Sequence, residues 1–158
     1  MKASLLAVAV AIACLSTADA RIGETLEQCI QRYGEPFAPV KPGEKVGFIK
    51  GEFFLLISLY DGKADLIVFA KMGGGVPSAK TPPQPMTDSE ISKLLEANSH
   101  GVAWTSTESI RPNRSWTTTD HRLMAYYAGN GLVIATSAAM DRIKADAKRS
   151  EEKKLEGF

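Results

Sequence analysis

The residues Gly74-Gly75-Val76-Pro77-Ser78-Ala79-Lys80-Thr81 come within one position of the phosphate-cradling pattern G-x4-G-K-[ST]. That loop works because its amides and the helix N-terminus behind it point at an anion. Here Ala79 stands in place of the second glycine and Pro82-Pro83 follow Thr81, so no helix can start where the chemistry needs one. His100 and His121 are the only histidines, and neither has a second His or a Cys at ligand spacing, so no metal site is expected. Ser115, Asp120 and His121 can be drawn as a nucleophile with its base. Yet no serine sits in a G-x-S-x-G elbow, and Asp120-His121-Arg122 reads more simply as a polar turn. Asp61 and Asp120 occupy turn positions, which leaves no paired carboxylates for acid–base work. The expectation is no catalytic residue, no cofactor and no metal, and the reading leans away from an enzyme.

Aromatic and guanidinium groups are the other chemistry available. Trp104, Trp116, Tyr126 and Tyr127 gather with Arg111, Arg114 and Arg122 in the second half of the chain. Tryptophan and arginine are the residues of binding hot spots, and arginine also stacks on rings. The competing reading is that Trp104 and Trp116 pack a helix on its sheet while the arginines stay solvated. Trp104, Arg111, Arg114, Trp116 and Arg122 are therefore the candidate protein-contact surface, centred on a loop at Arg111-Pro112-Asn113-Arg114.

These residues need elements to hold them. Leu26, Cys29, Ile30 and Tyr33 recur at helical spacing behind a capping box of Thr25 and Gln28, with Gly34 and Pro36 as the stop. Val46 to Lys50 and Phe53 to Tyr60 read as strands, the second too apolar on both faces for an edge. Asp61-Gly62 is a type I′ turn signal leading into Ala64 to Lys71, and the implied register sets Tyr60 opposite Lys63, Phe54 opposite Phe69 and Glu52 opposite Lys71. A second helix is expected behind Thr87 and Glu90, with Ile91, Leu94, Leu95 and Asn98 along one face. Strands follow at Val102 to Ser109, Ser115 to Thr119, Leu123 to Ala128 and Leu132 to Ser137, the last two joined through Asn130-Gly131. From Asp141 to Glu156 six basic and five acidic residues alternate on a solvated helix.

The chain thus divides into a leader at 1–20, a first α+β unit at 21–72, a Gly/Pro-rich linker at 73–86, a second α+β unit at 87–137 and a charged C-terminal helix or tail at 138–158. The fold class is α+β, an antiparallel sheet with helices packed on it. Thr25, Cys29 and Tyr33 recur as Thr87, Ile91 and Leu95, a shift of 62, which raises two tandem helix-plus-hairpin units as one option beside chance.

Composition bounds the function classes. The chain has 158 residues, a formal charge of +1, 44% hydrophobic and 23% charged residues and two cysteines. That excludes a collagen, a disordered tail, a disulfide knot and a polytopic membrane protein. Lys2 precedes an apolar run at residues 3–15, too short for a transmembrane segment, and Ala18-Asp19-Ala20 supplies a small-x-small cleavage pattern. Residues 1–20 are read as a cleavable signal peptide, giving a periplasmic or extracellular chain of 138 residues with Cys29 as its one thiol. A lipid anchor at Cys14 is the rival, disfavoured because Ala11 stands where a leucine is usual and Leu15 follows the cysteine. Balanced charge offers no hold on nucleic acid or anionic lipid.

Gly23-x-Thr25-x3-Cys29-x3-Tyr33-Gly34-x-Pro36 resembles in spacing the helix signature of the small outer-membrane lipoprotein A family, over 14 residues. That resemblance implies helices on an antiparallel sheet, and two such units in tandem would look like the β-lactamase-inhibitor-protein fold. A fuller resemblance is to uncharacterised short exported bacterial proteins. Their mature chains open as Arg21 to Pro36 does here and close as Leu155-Glu156-Gly157-Phe158. It implies export and no activity. The expected function is a non-catalytic protein-binding or structural component of the cell envelope. The alternatives are an inhibitor of a secreted enzyme and a small hydrolase.

Overall fold

The structure, a computed structural model, describes residues 21–76, 78, 80–107 and 113–155. The leader with Cys14, and Arg111 of the contact surface, lie outside the described residues. Both predicted capping boxes form. The Thr25 side chain accepts from the Gln28 amide at the start of α1 (Leu26–Tyr33), and Thr87 accepts from Glu90 at the start of α2 (Asp88–Asn98). Gly34, at φ 89°, ends α1.

Seven strands follow the chain as β1 (Val46–Lys50), β2 (Phe53–Tyr60), β3 (Lys63–Lys71), β4 (Trp104–Thr107), β5 (Arg114–Thr118), β6 (Leu123–Ala128) and β7 (Gly131–Thr136). They form one sheet in the order β1-β2-β3-β7-β6-β5-β4, with every neighbouring pair antiparallel. With α3 (Ser137–Leu155) the chain is an α+β fold. The first half ends in β3 and the second in β7. These two strands pair at the centre of the sheet, Val68 opposite Val133.

The sequence-derived registers of both hairpins need correction. Tyr60 does pair with Lys63, but the register slips between Ser58 and Leu59, which pair with Leu66 and Ala64. Asp65 is the extra residue, so Phe54 faces Ala70, Phe69 faces Leu55, and Lys71 faces Phe53 rather than Glu52. The second hairpin turns one residue early: Gly129 (φ 54°) and Asn130 (φ 63°) take the two positive-φ positions, and Gly131 opens β7.

The front face of the sheet carries α1 and α2 over a single core. Cys29 and Tyr33 of α1 and Ile91, Leu94 and Leu95 of α2 cover Phe48, Leu55, Ile57, Ile67, Phe69, Leu132 and Ile134. The Tyr33 and Phe48 rings meet at 5.4 Å. Burial pushes the Cys29 thiol up to about 11, which leaves it protonated and inert. Asn98, fully buried at the end of α2, ties that helix to the segment before α1: its Oδ1 accepts from the Ile22 amide at 3.0 Å and its Nδ2 donates to the Leu94 carbonyl.

The back face carries α3 alone. Its core is a small cluster of Leu66, Ala135 and Ala139, with Val68, Val133 and Met140 beside it. The bulge at Asp65 explains how α3 is fixed. It turns Asp65 to the back, where the Arg142 guanidinium bonds its carboxylate and lies 3.7 Å over the Tyr60 ring.

Candidate functional site

The second half of the chain places its aromatics on both faces of β4, β5 and β6. Trp104 and Trp116 point to the front, where both pack against the core, and the Trp104 indole donates to the Leu95 carbonyl at 2.7 Å. α2 and β4 leave a shallow groove between them of about 380 Å³, floored by Trp104 and Trp116 and walled by Ser92, Leu95, Glu96 and Val102. The tryptophans are thus partly packed and partly open. They pack α2 on the sheet, and they present ring surface to an open groove.

Arg114 is held beside them. Its guanidinium lies 5.6 Å from the Trp116 ring and 5.2 Å from the Tyr127 ring, and it pairs with Asp88 in the first turn of α2 at 2.6 Å. The Tyr127 hydroxyl in turn accepts from the Met86 amide at 3.0 Å. Arg122 lies elsewhere. It is in the β5–β6 turn, 85% exposed and 3.7 Å from Asp120, while Arg114 starts β5 at the other end of that hairpin, about 13 Å along the strand. The structure thus gathers Trp104, Arg114 and Trp116 and sets Arg122 apart.

The nucleophile arrangement is not assembled. Ser115 shares a hydrogen bond with Thr107 at the start of β5, whereas Asp120 and His121 sit in the turn beyond its end. Asp120 is engaged by the Thr118 hydroxyl at 2.7 Å and the Arg122 amide at 3.1 Å. The Thr118 bond, then the Arg122 amide, holds its carboxyl below the ordinary aspartate value. The phosphate-loop stretch closes on itself, the Ser78 hydroxyl accepting from the Thr81 and Lys80 amides. Among the described residues no group of three His, Cys, Asp or Glu gathers as metal ligands, and no helix is long and apolar enough to cross a membrane.

A second hollow lies on the back, about 170 Å³, lined by Thr117, Met124, Tyr126, Val133 and Met140. Tyr126, in its lining, is 43% exposed.

Sequence reasoning missed the α2 wall of the front groove. Ser92, Leu95, Glu96 and Ser99 recur at i, i+3, i+4, i+7, a second stripe beside the buried one. That periodicity was legible, but its polar members resemble an ordinary solvated face. Asp65 was missed because nothing local announces a bulge. No protein family, curated protein or solved structure matches the chain.

Proposed function

We propose that the chain is an exported, non-catalytic protein-binding component of the cell envelope. The export reading is carried by the charged start, apolar run and Ala18-Asp19-Ala20 of residues 1–20, and by the resemblance of both ends to short exported proteins. The binding reading is carried by one observation, the Trp104–Trp116 groove. Large rings fixed by the core and by Leu95 offer area at little entropic cost, and an arginine is already stacked at the side.

A second reading, inhibition of a secreted enzyme through the sheet, is favoured by the apolar hollow and exposed Tyr126 on the back. Photocrosslinking in the exported fraction separates the two. Benzoylphenylalanine placed at Ser92, exposed on the groove wall, is expected to give a discrete protein adduct. Adducts from Tyr126 alone would favour the inhibitor reading, and adducts from neither position would overturn protein binding.

A further inference from the structure

We propose that the outer edge of β4 receives an extended segment of a partner protein, which adds as an eighth strand and turns alternate side chains into the groove beneath α2. This rests on the protein-binding reading above and names where and how the partner docks.

The hydrogen-bond phase of β4 comes first. The Thr119 amide donates to the Ala103 carbonyl at 2.9 Å, and β4 pairs with β5 as Thr105 with Thr117 and Thr107 with Ser115. In an antiparallel ladder bonded positions alternate. Residues 103, 105 and 107 therefore bond inward to β5, and the amides and carbonyls of Trp104 and Ser106 point outward. β4 is the last strand of the sheet and pairs with β5 alone, so these four groups have no strand partner among the described residues.

Apart from its length of only four residues, the edge lacks the devices that keep edges unpaired. Its Trp-Thr-Ser-Thr sequence holds no lysine, no proline and no bulge. The opposite edge, β1, is guarded: Lys45 and Lys50 flank it, and the Phe37 amide donates to the Gly47 carbonyl at 2.7 Å.

The groove fits an added strand. Residues paired across a ladder share a face. Residues of the new strand opposite Trp104 and Ser106 would point to the front, into the hollow floored by Trp104 and Trp116. That hollow suits branched apolar side chains of modest size. The rim sets the charge, because the exposed Glu96 carboxylate has no ion pair among the described residues, so a lysine or arginine flanking the apolar pair complements it. A peptide fits better than a second copy of this chain. Two four-residue edges paired together bury far less than the roughly 1,200 Å² of a stable interface, whereas short main-chain pairing plus alternate pockets is the mode of strand addition.

The test uses the full chain and a fluorescein-labelled peptide, Lys-Thr-Val-Thr-Val-Thr, whose lysine and two valines share one face, followed by anisotropy. Saturable binding with a Kd below about 1 mM is expected. Ser106→Pro removes one outward amide and no β5 bond, which proline tolerates at an edge. It should weaken binding at least tenfold with unchanged circular dichroism and melting. Methylating the peptide amides on the paired edge should do the same against the unaltered protein. Glu96→Lys should weaken binding several-fold, and a peptide with Glu in place of its Lys should reverse that loss. If Ser106→Pro folds poorly, the methylated peptide and the charge swap decide alone. No binding below 1 mM, or equal binding by the methylated peptide, overturns the proposal. If adducts from Ser92 persist in that event, protein binding stands and only the edge is wrong; if neither Ser92 nor Tyr126 gives adducts, both readings fall.

Discussion

The two faces of the sheet are closed by different means. On the front, two capped helices cover one continuous core that runs from Phe48 to Ile134. On the back, the first turns of α3 cover three buried residues, and Arg142 fastens the helix through Asp65 and Tyr60. Beyond Arg142 the described side chains of α3 are exposed. The front is held by apolar area, which is additive and insensitive to any one polar contact. The back hangs on one charged contact, so it should loosen alone and leave the front intact.

Three perturbations sharpen that contrast. The largest effect is expected for Phe48→Ala, which removes a fully buried ring from the front core. It should cost about 3–5 kcal/mol in urea denaturation and lower the whole transition. A loss confined to α3 would break the comparison. Arg142→Ala comes next. It strips the mostly buried Asp65 of its cation, while the other carboxylate oxygen already lacks a partner among the described residues. A loss of about 1–3 kcal/mol is expected, read as faster hydrogen exchange in α3 with α1 and α2 unchanged. Uniform acceleration across all three helices would show that the faces are coupled.

Acid gives the smallest effect. The Lys71 ammonium at 2.7 Å, then the Thr87 amide, lowers the Glu90 pKa from its ordinary 4.5. A lowered carboxyl pKa contributes stability that is complete above the unfolded value and is lost as pH falls through the folded one. The start of α2 should therefore weaken below about pH 4.5. The start of α3 carries no such carboxylate, since the Thr136 hydroxyl, which does not titrate, accepts from the Ala139 amide there, so the Glu90 contribution is felt at α2. Melting of Glu90→Gln against the unaltered chain between pH 3 and 6 checks this, with a flatter acid limb expected for the variant.

Local signals were read well and long-range ones poorly. Thr25, Gln28, Thr87 and Glu90 act within four residues, so their capping boxes were legible. Asp61-Gly62 was equally plain. The second turn slipped because Gly129-Asn130 and Asn130-Gly131 both satisfy the type I′ preference, and only strand pairing chooses between them. The Phe54 register failed for a related reason: the bulge at Asp65 is stabilised by Arg142, 77 residues away. At the candidate site, composition marked Trp104, Arg114 and Trp116. It could not show that Arg122 lies at the far end of a hairpin or that β4 is an edge, since strand order is a property of the whole sheet.

The β3–β7 ladder and the Asn98 bond to the Ile22 amide make the join between the halves one of contact rather than of covalent continuity. A chain nicked between Gly73 and Gly75 would keep its shape. Its two pieces, once parted, would each carry an apolar strand, β3 or β7, with one side bare, and each would be the other's natural template for reassembly.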